Sequence, residues 1–153
     1  MNNLSFEFYS RLALNMFASG RDRNEAPQLP GGLGVAAQIV AKKLRYYEAH
    51  FFHEAGQWSF LMRNLDNDEE VPTTVEGIMK LPTKYMIVRS VRVGGKAQQA
   101  TEKIPCTQEE VDQLVRFLRS GFCPCSSLTL EGNSPATLAL MSDFVQMLRR
   151  YQQ

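Results

Sequence analysis

The stretch LGVAAQIVAKKLRYYEAHFFHEA, residues 33–55, carries apolar side chains at three- and four-residue steps. Leu33, Ala36, Val40, Leu44, Tyr47 and Phe51 fall on one stripe when each residue advances about 100° around a helix axis. The spacing therefore predicts one long helix, closed by Gly56. Gln38, Lys42, Arg45 and Ala49 lie opposite the stripe, which puts Lys42 and Arg45 at the surface. Ile39, Lys43, Tyr46 and His50 form a second flank.

Upstream, residues 4–19 read as a helix through Tyr9, Leu12, Ala13, Met16 and Phe17, with Gly20 as its stop. Between the two lies GRDRNEAPQLPGG, residues 20–32, whose Pro27, Pro30, Gly31 and Gly32 predict a mobile loop. Downstream, Trp58, Leu61, Met62 and Leu65 keep helical spacing before an acidic loop, residues 66–72. Thr73 with Glu76 fits a capping box for a short helix that Pro82 closes.

The segment TKYMIVRSVRVGGK, residues 83–96, changes period. Tyr85, Ile87, Val91 and Val93 share one parity and β-branched residues dominate, so a strand is expected to turn at Gly94-Gly95. The return arm has poor strand propensity, which predicts a small hairpin or flap over residues 84–103. Two helices complete the chain. Thr107 and Glu110 cap the first, with Val111, Leu114, Val115 and Leu118 inside. Ser134-Pro135 starts the second, which buries Leu138, Met141, Phe144, Val145, Leu148 and Tyr151. The expected fold is mainly α within the α+β class: a bundle of five to six helices with that small flap.

A chain of 153 residues with 44% hydrophobic content suits one compact domain over residues 1–153. Its 22% charged content and net charge of +1 are those of an ordinary globular protein. No apolar run reaches the roughly 18–20 residues of a membrane helix, because Arg11, Lys42, Lys43 and Asp143 interrupt the best candidates. The N-terminal residues lack a secretory pattern, so a cytoplasmic location and no membrane partner are expected. Cys106, Cys123 and Cys125 cannot all pair within one chain, which argues against a disulfide framework.

Charge is segregated. Asp66, Asp68, Glu69, Glu70 and Glu76 precede Lys80, Lys84, Arg89, Arg92, Lys96 and Lys103, which face Glu102 alone. A basic patch attracts phosphate or acidic partners whatever the net charge. The candidate nucleic-acid-binding residues are Lys84, Arg89, Arg92 and Lys96 on the flap, Lys42 and Arg45 on the long helix, and Arg149 and Arg150 at the C-terminus. Such contacts confer affinity without reading bases.

Other patterns are weaker. His50, His53, Cys123 and Cys125 have the donor types of a zinc site, but histidines three apart and a Cys-Pro-Cys pair are poor ligand spacing. Cys125 has no local base to activate it as a nucleophile. Gly32-Leu33-Gly34-Val35-Ala36-Ala37 matches a dinucleotide fingerprint, yet the preceding residues contain Pro27 and Pro30 and cannot form its strand. His53-Glu54 lacks a nucleophile, and Asp66 with Asp68 lacks the spacing of a calcium loop. No metal, no cofactor and no catalytic residue is expected.

With GLGVAAQIVAKKLRYYEAHF and SPATLALMSDFVQMLRRY as its helices, the chain resembles the small helical subunit of a type I CRISPR interference complex. The resemblance is one of architecture and carries no diagnostic motif. It implies a non-catalytic subunit or adaptor in antiviral defence, with other protein subunits and a nucleic-acid backbone as partners. The alternative is a protein-only interaction module such as a virus-encoded inhibitor. A third reading is an enzyme whose site is assembled from distant residues.

Overall fold

The computed structural model describes residues 5–66, 70–96 and 102–151, with Tyr151 described in its backbone only. The chain divides into two compact units, residues 1–44 and 45–153. Of the expected segments, 67–69 of the acidic loop and 97–101 of the flap lie outside the described residues.

In the first unit, α1 (Phe6–Ala18) is capped by Ser5, whose hydroxyl accepts from the Phe8 amide. Gly20 stops the chain at φ 99°, as its position after the helix predicts. The expected loop contains a 3₁₀ turn, Arg23–Gln28, whose first amides Asp22 caps. α2 (Gly31–Lys43) follows directly. Small side chains let these elements approach: Ala13, Ala26, Ala36 and Ala37 are all buried, with Phe17 and Val40 beside them. A Cβ on Gly34 would collide with the Leu29 carbonyl oxygen. That close approach, not a phosphate, accounts for the second glycine of the fingerprint, and among the described residues no strand precedes it.

The second unit corrects the fold expected from the sequence. It is an α/β unit built on a five-stranded mixed sheet, not a helical bundle with a flap. The helix predicted over residues 33–55 ends at Lys43, and β1 (Arg45–Glu54) begins two residues later. β2 (Gln57–Asn64) replaces the helix expected around Trp58. It pairs antiparallel with β1 in a register that sets Glu54 opposite Gln57. Ala55 and Gly56 are thus a two-residue turn, at φ 50° and 76°, as tight hairpins require.

α3 (Val75–Met79) takes Thr74, not Thr73, as its cap. β3 (Met86–Gly94) is not the first arm of a flap. It lies inside the sheet between β1 and β5 (Ser127–Glu131) and runs parallel to both. The chain leaves Gly94-Gly95 and returns as β4 (Ile104–Cys106), which pairs with β2 at the far edge. The order is β4-β2-β1-β3-β5.

α4 (Gln108–Leu118) has the predicted capping box: the Thr107 hydroxyl accepts from the Glu110 amide, and the Glu110 carboxylate accepts from the Thr107 amide. α5 (Pro135–Tyr151) starts at the predicted Ser134, whose hydroxyl accepts from the Thr137 amide at 3.2 Å. The core collects Phe51, Phe60, Val88, Val91, Leu114, Leu118, Phe122 and Phe144. Phe144 of α5 meets Phe51 of β1 and Phe122 with ring centroids 5.7 and 5.6 Å apart. Helix and sheet are therefore joined by tightly packed aromatic pairs.

Candidate nucleic-acid interface

The sheet topology scatters the basic residues that the sequence groups. β3 spans nine residues, or about 30 Å of extended chain at ~3.3 Å per residue. Lys84 lies before it and Lys96 beyond its far end. The Lys84 ammonium sits 5.4 Å from the Tyr85 ring centroid. Arg89 is the extra residue of a β-bulge, where Tyr47 pairs with Val88 and Glu48 with Ser90. Its guanidinium rests 4.3 Å from the Tyr46 ring centroid. Arg92 forms an ion pair with Glu131 at 2.8 Å. Lys42 lies in the last turn of α2, whereas Arg45 opens β1 in the second unit.

Arg149 and Arg150 close α5. Here the structure adds partners that the sequence reading missed. Residues 112, 115/116 and 119 form one stripe of α4 and its following turn, and residues 143, 146/147 and 150 form the matching stripe of α5. Between them runs an open groove of about 280 Å³. Arg116, Arg119 and Arg150 line it, alternating with Asp112 and Asp143, and Val115 and Met147 contribute its apolar floor. Arg116 and Arg150 sit in the last turns of α4 and α5, so part of their charge offsets the helix dipoles. A second signal for this groove was present in the sequence: Arg116 and Arg119 follow Asp112 at helical spacing on the polar side of α4.

The sheet's opposite end, at the carboxyl ends of its parallel strands, has a cavity of about 440 Å³ bordered by His53, Trp58, Cys106 and Glu110. Cysteine and histidine in one cavity suggest nucleophile and base. The register denies it. Cys106 pairs with Trp58, and Trp58 with His53, across three adjacent strands. Cys106 and His53 are thus two strand spacings apart, about 10 Å, with the indole between them. Proton transfer needs hydrogen-bond reach. Burial, with the Glu110 carboxylate adding to it, pushes the Cys106 thiol up to about 11, and that thiol donates to the Ile104 carbonyl.

His50 and His53 alternate on β1 and so face opposite sides of the sheet. His50 donates from Nε2 to the Gly94 carbonyl at 2.7 Å and stacks on Phe52. Cys123 and Cys125 lie in the turn before β5. Among the described residues, no group of three or more His, Cys, Asp or Glu side chains could hold a metal ion. Asp66 accepts from the Tyr46 amide, and Asp68 lies outside the described residues. No described helix is long and apolar enough to cross a membrane.

No family profile matches the chain, and no solved structure matches it. The curated proteins that it resembles include the glutamyl-Q tRNA(Asp) synthetases of Pseudomonas aeruginosa strains LESB58, UCBPP-PA14 and PAO1. Each is 28% identical over 103 residues, which cover 67% of this chain and 33% of the relative. The match therefore spans about a third of those enzymes' length.

Proposed function

We propose that the chain is a non-catalytic binding subunit whose second unit holds the phosphate backbone of RNA in the α4/α5 groove. The observation that carries this reading is the convergence of Arg116, Arg119 and Arg150, from two helices, on one open groove. Guanidinium presents a planar fork of donors suited to phosphate oxygens. Gln146 adds a neutral donor on the same wall. Among the described residues, none that lines the groove is aromatic, so contact is to the backbone and tolerant of sequence. Limited similarity to enzymes named for transfer RNA favours RNA as the polyanion.

The interleaved Asp112 and Asp143 keep the groove only mildly basic. The chain alone then binds modestly and best at low salt, and other subunits add phosphate contacts of their own. Fluorescence anisotropy with labelled transfer RNA tests the assignment on three proteins: the native chain, Arg116→Glu/Arg150→Glu, and Arg92→Glu/Lys96→Glu. Loss of binding in the first variant with retention in the second supports the groove. The reverse pattern moves the interface to the exit of β3, and equal RNA binding by all three proteins removes both. Capture of an acidic peptide, without RNA, would identify a protein-binding module instead.

A further inference from the structure

Residues 123–126 form a β-turn in which the Ser126 amide donates to the Cys123 carbonyl at 3.0 Å. Pro124 occupies its second position, where a fixed φ is favourable. The turn is tied down twice more. The Cys123 amide donates to the Ser126 hydroxyl at 3.0 Å, and that hydroxyl donates to the Val88 carbonyl of β3 at 2.6 Å. This geometry brings the sulfurs of Cys123 and Cys125 to 2.8 Å. That is well inside the ~3.5–4 Å of ordinary non-bonded contact and approaches the ~2.05 Å of a disulfide. Both thiols are free.

We infer that Cys123 and Cys125 are a redox modification site that closes to an intramolecular disulfide by exchange with a low-molecular-mass disulfide such as oxidised glutathione. The thiolate of the more exposed Cys125 attacks one glutathione sulfur, the glutathione S–S bond breaks, and one glutathione leaves as thiolate. Cys123, deprotonated, then attacks Cys125 sulfur and expels the second glutathione. In sum, two protein thiols lose two electrons and two protons, and one glutathione disulfide becomes two glutathione thiols. The second step is fast because the attacking sulfur is already in place.

The first step is slow at neutral pH. Burial, reinforced by the neighbouring Cys123 sulfur, pushes the Cys125 thiol up to about 11. Each pH unit below that value reduces the thiolate, and hence the rate, about tenfold. The Arg89 guanidinium, 3.8 Å from Cys125 sulfur, opposes the upward shift. The site is therefore set for slow response to a sustained oxidising poise, not for rapid catalytic exchange. This inference does not depend on RNA binding.

The test is equilibration of the full chain in glutathione buffers of graded poise, followed by quenching, denaturation, maleimide labelling and intact mass measurement. Of the three cysteines, only Cys106 should label in oxidising buffer. The unlabelled pair should account for a mass two hydrogens lower, in a monomer without glutathione. Cys106→Ser should still close the pair, whereas Cys125→Ser should not. Persistent glutathione adducts on the native chain, disulfide-linked dimers, or three labels in the most oxidising buffer would each overturn the inference.

Discussion

Gly94 ends β3 at φ 89°, and a Cβ there would collide with the Glu131 carbonyl oxygen of β5. Gly56 has φ 76° but open space around it. Gly56→Ala should therefore cost only the left-handed strain, about 1–2 kcal/mol. Gly94→Ala should cost more, because strain and collision add, and chemical denaturation of the two variants compares them directly. His50 responds to pH. Burial lowers its pKa below 6.5, against the opposing hydrogen bond to Gly94, with Arg92 lowering it further. The unfolded chain thus binds a proton more readily than the folded one. This contribution to stability is present above pH 6.5 and is lost as pH falls through the lower folded value. His50→Gln should flatten that part of the stability profile, measured by denaturant melts between pH 5 and 8. At Cys125, Arg89→Ala should slow maleimide labelling in the folded, reduced chain, because the guanidinium favours the thiolate.

At the scale of elements, both helix starts marked by Thr107 and Ser134 were legible, because a capping side chain and its acceptor geometry are local. β1 was not. Its sequence RYYEAHFFHE buries Tyr46 and Phe52 on one face and Tyr47, Ala49 and Phe51 on the other. With apolar residues on both faces, alternation is masked, and Leu44, Tyr47 and Phe51 happen to continue the α2 stripe. The aromatic residues, which favour strands over helices, and the Ala-Gly pair before Gln57 were the available signals of a hairpin. The β-branched pattern marks β3 as a strand, but its partners are set by long-range pairing that no local pattern reveals. Likewise, the spacing of Arg116 and Arg119 along α4 and its following turn is local, whereas their meeting with Arg150 is a consequence of helix packing. Within the first unit, Val40 and Leu44 are almost fully buried and Lys42 is exposed. Val40→Asp should lower the melting temperature by several degrees relative to Lys42→Ala. In the sheet, Phe51→Ala should remove about 3–5 kcal/mol, since the ring is fully buried against Phe60 and Phe144.

At the scale of the whole molecule, the sheet acts as a scaffold that fixes the carboxyl halves of α4 and α5 side by side. The aromatic contacts through Phe144 and Phe122 hold that placement. Binding by a few guanidiniums has a distinctive signature, because each neutralised phosphate releases counterions. The logarithm of the association constant should fall linearly with the logarithm of salt concentration for the native chain and transfer RNA. The decisive measurement is that slope in the native chain and in Arg116→Glu/Arg150→Glu, with circular dichroism confirming that both are folded. Loss of two phosphate contacts should flatten the slope by about 1.4–1.8 units. A folded variant with unchanged slope and affinity, or a native chain that does not bind RNA at low salt, would contradict the assignment of the groove.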